Sequence, residues 1–152
     1  MPTQKLQDYL DRHEIQYVTI SHSPAYTAQR IAELTRIPGK ELAKTVIVKI
    51  DDKFAMAVLP ASRRVNLRHL QESIGAEEFS LSSEAEFNVL FPDCEVGAMP
   101  PFGNLYDMGV YVAEQLTEDD EIAFNAGSHS ELVKMSYSDY ANLVTPQVVA
   151  LT

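Results

Sequence analysis

The chemistry in this chain concentrates in a few short stretches. In "CEVGAMPPFGNLY", residues 94–106, Gly97 and Gly103 bracket the adjacent prolines Pro100 and Pro101. Glycine takes positive φ or admits a close approach, whereas proline fixes φ and removes a donor, so a stiff loop is expected. Its remaining amides, at Ala98, Met99, Phe102 and Gly103, are candidates for polarising an ester carbonyl or cradling a phosphate. Lys44 stands at the mouth of an apolar run, where an ammonium can neutralise a phosphate or a developing oxyanion. His22, Ser23, Tyr26 and Thr27 form a polar cluster ahead of a helix whose first amides favour anions. In "NAGSHSE", Gly127, Ser128 and His129 interrupt two apolar runs. Ser128 and His129 are neighbours that point to opposite sides of a strand, and no third group orients them, which argues against a hydrolytic triad.

These residues need elements to hold them. Leu6, Tyr9 and Leu10 recur at helical spacing behind a Thr3 cap, and "IQYVTI" reads as a strand. Thr27 is a natural cap for a helix over "AQRIAELT", which "IPG" stops. "TVIVKI" and "FAMAVLP" flank Asp51-Asp52-Lys53, the strongest hairpin signal in the chain. "VNLRHLQESIG" is helical and ends on Gly75, while Ser83-x-x-Glu86 opens a helix over "SEAEFNVLF". Beyond the loop come three short strands, "GVYVAEQL", "EIAFNAGS" and "ELVKMS", and a last helix opened by Ser136-x-x-Asp139. Strands and helices alternate without a strict βαβ rhythm. The expected fold is therefore mixed α+β: one compact domain over residues 1–152, a mostly antiparallel mixed sheet with helices around it.

The chain has 152 residues, 45% of them apolar and 22% charged, enough for one buried core. A polar, amphipathic start and the lack of a long apolar run argue against a signal peptide or an anchor, so a cytoplasmic protein away from membranes is expected. One cysteine and four scattered histidines offer no metal-ligand spacing, and neither a structural metal nor a cofactor is expected. The net charge of -10 argues against a protein that coats nucleic acid. Its distribution is uneven, however. Residues 30–70 carry nine basic residues against four acidic ones, while residues 71–152 carry Lys134 alone against fifteen acids. A phosphate would dock on the first of these segments, with Arg63 and Arg64 as candidate phosphate contacts.

Taken singly, these features suit an ordinary loop, a strand-end lysine and a turn. Their order and spacing resemble the YbaK/ProX family, the aminoacyl-tRNA deacylase domain related to the editing insertion of bacterial prolyl-tRNA synthetases. The resemblance rests on "HSPAYTAQRIA", "ELAKTVIVK", "MAVLPASRRVNL", "VGAMPPFG" and "FNAGS", five ordered segments that cover essentially the whole chain. It implies a compact mixed α/β domain and metal-independent hydrolysis of the ester joining a wrong amino acid to a tRNA 3′ end. By the same resemblance Lys44 matches the family lysine, and Gly97, Ala98, Met99 and Gly103 belong to the catalytic loop. Substrate contacts are then expected from His22, Tyr26, Thr27, Thr45, Pro100, Pro101, Phe102, Gly127, Ser128 and His129. Some members that act on alanyl-tRNA carry asparagine after the lysine, and Thr45 departs from that pattern. The expected partner is the acceptor end of an aminoacyl-tRNA, with a synthetase as a further candidate and a monomer as the expected state. A non-catalytic tRNA- or synthetase-binding module of the same fold is the rival reading.

Overall fold

The computed structural model describes residues 3–95 and 97–152. Helices α1 (Gln4–Arg12), α2 (Ala28–Thr35), α3 (Leu67–Ile74), α4 (Glu84–Phe87) and α5 (Tyr137–Val144) surround one sheet. Its strands are β1 (Tyr17–Ser21), β2 (Leu42–Ile50), β3 (Lys53–Pro60), β4 (Phe79–Leu81), β5 (Gly109–Ala113), β6 (Glu121–Asn125), β7 (Glu131–Ser136) and β8 (Gln147–Val149). The order is β1-β7-β6-β2-β3-β5-β8, with β4 paired to β2 off that path. Among the described residues four pairings are antiparallel and three, β2–β6, β3–β5 and β5–β8, are parallel. The mixed α+β expectation holds.

Alternation within the strands explains why both sheet faces are covered. In β3, Met56 and Val58 enter one core with Leu6, Leu10, Phe102, Phe124 and Tyr140, while Ala55, Ala57 and Leu59 enter another with Leu70 of α3. Period-two side chains that are apolar on both faces mark a central strand. The β2–β3 hairpin turns on Asp51 and Asp52 alone, at φ 49° and 68°, with Ile50 opposite Lys53. Two successive positive φ values are what a two-residue turn matched to strand twist requires, and aspartate tolerates them.

Local signals fail where an element is too short to leave a period. Strands β4 and β8 span three residues each and lie outside the elements expected from the sequence. The expected helix over 83–91 is one capped turn, α4, continued by a 3-10 turn at Asn88–Leu90. Likewise "GVYVAEQL" is strand only to Ala113 and then becomes a 3-10 turn over Glu114–Glu118.

The pairing of β2 determines where the sheet opens. It pairs with β6 only at Leu42 and Ala43 and with β4 only from Val48 to Ile50. Lys44–Val46 are thus paired with β3 alone, while the Ile47 carbonyl already accepts from the Ser82 amide just past β4, and the sheet is split on the other side of Lys44–Val46.

Candidate functional site

A pocket of about 120 Å³ occupies this split. Ala43, Lys44 and Thr45 of β2 line it from one side and Asn125, the last residue of β6, from the other. Successive strand residues face opposite ways, so three consecutive ones reach a single cavity because it lies in the break between strands rather than on one face. Ala28 and Ile31 of α2 close one end, and Gly97 and Met99 bring in the glycine-proline loop. Tyr26 stands at the mouth, 74% exposed. Tyr26 and Gly97 also line a wider recess of about 470 Å³, together with His129, Glu84 and Glu95. The two spaces adjoin at Tyr26 and Gly97.

Short-range bonds hold this rim. Thr27 caps α2 by accepting from the Arg30 amide at 3.1 Å, which fixes where Tyr26 leaves the helix. The Ala25 amide donates to the His129 carbonyl at 3.0 Å and the His22 amide to that of Ser130 at 2.9 Å, docking the Tyr26 segment onto the 127–130 turn. The Tyr26 and His129 rings lie 4.8 Å apart, tilted by 50°. Glu95 accepts from the His129 amide at 3.0 Å through its carboxylate, while its own amide donates to the Gly127 carbonyl at 2.8 Å. Gly97 needs its positive φ of 84°, and a Cβ there would lie 3.6 Å from His129 Cε1. Here glycine serves a close approach.

Lys44 is the cation that the inner pocket contains. Burial lowers its pKa below the ordinary 10.5, and the Arg64 charge lowers it further. Among the described residues no carboxylate forms an ion pair with it. Arg63 and Arg64 are exposed just past β3, whose Leu59 lies opposite Lys44. The described residues contain no group of three or more His, Cys, Asp or Glu that could hold a metal ion, and no helix long and apolar enough to cross a membrane.

The structure brings together Tyr26, Lys44, Thr45, Gly97, Met99 and His129. It gives the other expected site residues different work. Ala98 through Gly103 are buried, so the loop is not an exposed shelf of amides. The Ala98 amide is spent on the Glu95 carbonyl at 3.0 Å and the Phe102 amide on that of Pro100 at 2.8 Å, which withdraws both as donors to a substrate. Phe102 packs edge-on to Tyr140 in the core, with ring centroids 5.4 Å apart, and Pro101 accepts from the Tyr140 hydroxyl at 2.8 Å. Gly103 does not have positive φ; a Cβ there would lie 2.5 Å from the Met108 carbonyl oxygen. Gly127, at φ 104°, gives way to the Thr3 side chain, and Ser128 bonds to Ser130 within the turn. His22 Nδ1 meets the Ser23 carbonyl. Asn125, Glu84 and Glu95 carry no signal of their own as site residues, although Asn125 lies in "FNAGS" and Glu95 in the loop segment.

Comparison with known proteins identifies the family of this chain. The aminoacyl-tRNA editing domain family matches residues 22–143. The chain is 28% identical over 152 residues to the multifunctional Ser/Thr-tRNA deacylase ProXp-y of Escherichia coli K12, covering 96% of this chain and 90% of that one. It is 26% identical over 142 residues to the prolyl-tRNA editing protein ProX of Acetoanaerobium sticklandii, covering 89% and 85%. The crystal structure of hypothetical protein APE2540 superposes with a TM-score of 0.86 at 19% identity, covering 97% of this chain and 99% of that one, which shows a shared fold. With four-fifths of its length matched and the site assembled from the matching segments, this chain belongs to the aminoacyl-tRNA editing domain family.

Proposed function

We propose that the protein is a freestanding trans-editing hydrolase that deacylates mischarged aminoacyl-tRNA, acting where translation supplies that substrate, in the cytoplasm. The observation that carries this reading is the pair of adjoining spaces meeting at Tyr26 and Gly97, with Lys44 in the inner one. An aminoacyl side chain fits the inner pocket and the terminal nucleoside the outer recess, so the ester crosses between Gly97 and Tyr26. Tyr26, exposed and tilted against His129, offers a face on which a base stacks. Lys44 stabilises the negative charge that grows on the carbonyl oxygen as a nucleophile adds. Water, or the ribose hydroxyl next to the ester followed by water, adds to the carbonyl carbon. The bond from that carbon to the ribose oxygen breaks, and the products are the free amino acid and an uncharged tRNA 3′ end. Small pocket size supports selection of small amino acids, which an aminoacylation site alone separates weakly because one methylene changes binding by only about 1–3 kcal/mol.

The test is single-turnover hydrolysis over a panel of mischarged tRNAs. At least one with a small amino acid is expected to be deacylated well above the spontaneous rate. Tight tRNA binding with no acceleration across the panel would instead leave a non-catalytic module.

A further inference from the structure

Asn125 is the one residue that β6 contributes to the inner pocket, and its side-chain oxygen is buried with no hydrogen-bond partner among the described residues. A buried acceptor left unpaired destabilises the free protein, and in a pocket a ligand hydroxyl or ammonium is a donor that relieves that cost. Its place explains its state: β2 and β6 part after Ala43 and Phe124, so Asn125, still paired with Leu132 of β7, borders the break on its β2 side.

An aminoacyl ester brings two kinds of donor, the α-ammonium and any side-chain hydroxyl. Charge separates them. The inner pocket contains the Lys44 ammonium, with Arg64 close enough to depress its pKa, and no carboxylate of the described residues lines it. The outer recess is lined by Glu84 and Glu95. A second ammonium is repelled from the first space and attracted to the other, which leaves a neutral hydroxyl to meet Asn125. The volume agrees: 120 Å³ is on the order of four waters at roughly 30 Å³ each, room for a hydroxymethyl or hydroxyethyl group.

We propose that Asn125 is a specificity-determining residue whose side-chain carbonyl accepts a hydrogen bond from the hydroxyl of a serine- or threonine-type aminoacyl group. This rests on the deacylase reading of the same site. A pocket that satisfies a substrate hydroxyl rejects the analogue lacking it far better than an apolar pocket rejects an added one, because the acceptor is otherwise left unpaired.

The test is calorimetric binding of two stable probes, serine and alanine each amide-linked to 3′-amino-3′-deoxyadenosine, to the full chain, alongside hydrolysis of seryl- and alanyl-tRNA. The wild type is expected to bind the seryl probe at least about tenfold more tightly. Asn125→Leu, which keeps the branched shape without the acceptor, is expected to bring the two within about twofold by weakening the seryl probe. Asn125→Ala supplies the same comparison if leucine is not accommodated. No seryl preference in the wild type, or an undiminished one in Asn125→Leu or Asn125→Ala, overturns the assignment. A seryl preference that Asn125 controls, in a protein that hydrolyses neither tRNA, supports the assignment and overturns the deacylase reading alone.

Discussion

Lys44 joins function to a stability cost. Its folded pKa lies below the ordinary 10.5 because burial and Arg64 disfavour the ammonium. The charged form is therefore a penalty at neutral pH, and the penalty is relieved as pH rises through the folded value towards 10.5. Lys44→Met should raise the melting temperature near neutral pH, with the gain shrinking in alkaline buffer. Lys44→Ala should lower the single-turnover deacylation rate by about 100-fold or more. In the wild type, enzyme-catalysed turnover above the spontaneous rate should decline on the alkaline side before an ordinary lysine would titrate, and Lys44→Arg should remove that decline without restoring the full rate. Near wild-type turnover in Lys44→Ala would remove the residue from the reaction. The two loop glycines make a contrasting pair. Gly103 is a packing glycine, so Gly103→Ala, whose Cβ would meet the Met108 carbonyl oxygen at 2.5 Å, should cost about 1–3 kcal/mol of stability. Gly97→Ala places its Cβ beside His129 at the junction of the two spaces and should reduce turnover more than melting temperature. Equal losses of stability with unchanged turnover in both would make the loop a connector.

The element that most directly holds the loop is α5. Its Tyr140 is fully buried, stacks edge-on against Phe102 and donates to the Pro101 carbonyl at 2.8 Å. Proline removes a backbone donor from this segment, so the carbonyl must be satisfied from elsewhere, and a tyrosine in the core does so. Tyr140→Phe keeps the ring packing and leaves that acceptor unpaired. It should destabilise by about 1–3 kcal/mol and lower turnover at temperatures where the domain remains folded. Denaturant melts and single-turnover assays on one preparation decide this: unchanged stability would mean the carbonyl finds another donor. The cap of the same helix is a control. Ser136 accepts from the Asp139 amide at 3.0 Å, and Ser136→Ala should cost about 1 kcal/mol while leaving turnover intact.

Across the molecule, charge decides how a polyanion approaches. Three of the basic residues in 30–70 are occupied: Arg30 with Glu33, Lys49 with Glu86 and Arg68 with Glu72. Arg63 and Arg64 form no ion pair among the described residues and stand next to the strand end that carries Lys44. Repulsion by the acidic remainder should leave the acceptor end as the main contact of a tRNA and make binding weak and salt-sensitive. Replacing Arg63 and Arg64 with glutamate should raise KM for aminoacyl-tRNA and reduce the steepness of its salt dependence by roughly 0.7–0.9 for each phosphate that is no longer neutralised. A larger effect on whole tRNA than on a short aminoacyl-minihelix would put these arginines beyond the acceptor end. No effect on either would remove this face from docking.

Many of these elements are legible along the chain because their signals are local. Helical spacing at Leu6, Tyr9 and Leu10, the caps at Thr27 and Ser136 and the Asp51-Asp52 turn depend on neighbours within a few residues, and the ordered motifs point to Lys44 and the loop. Tertiary structure decides the rest. Strand β4 exists because β2 offers it an edge, and β8 because β5 does; three residues carry no period of their own. Gly97 and Gly103 look alike in sequence, yet one faces His129 and the other the Met108 backbone, a difference set by packing across the fold. Asn125 reads as an unremarked residue between a strand and a turn. It becomes a buried, unpaired acceptor beside Lys44 only because β2 and β6 pair for two residues and then separate, and the separation of two strands far apart in sequence is written in neither of them.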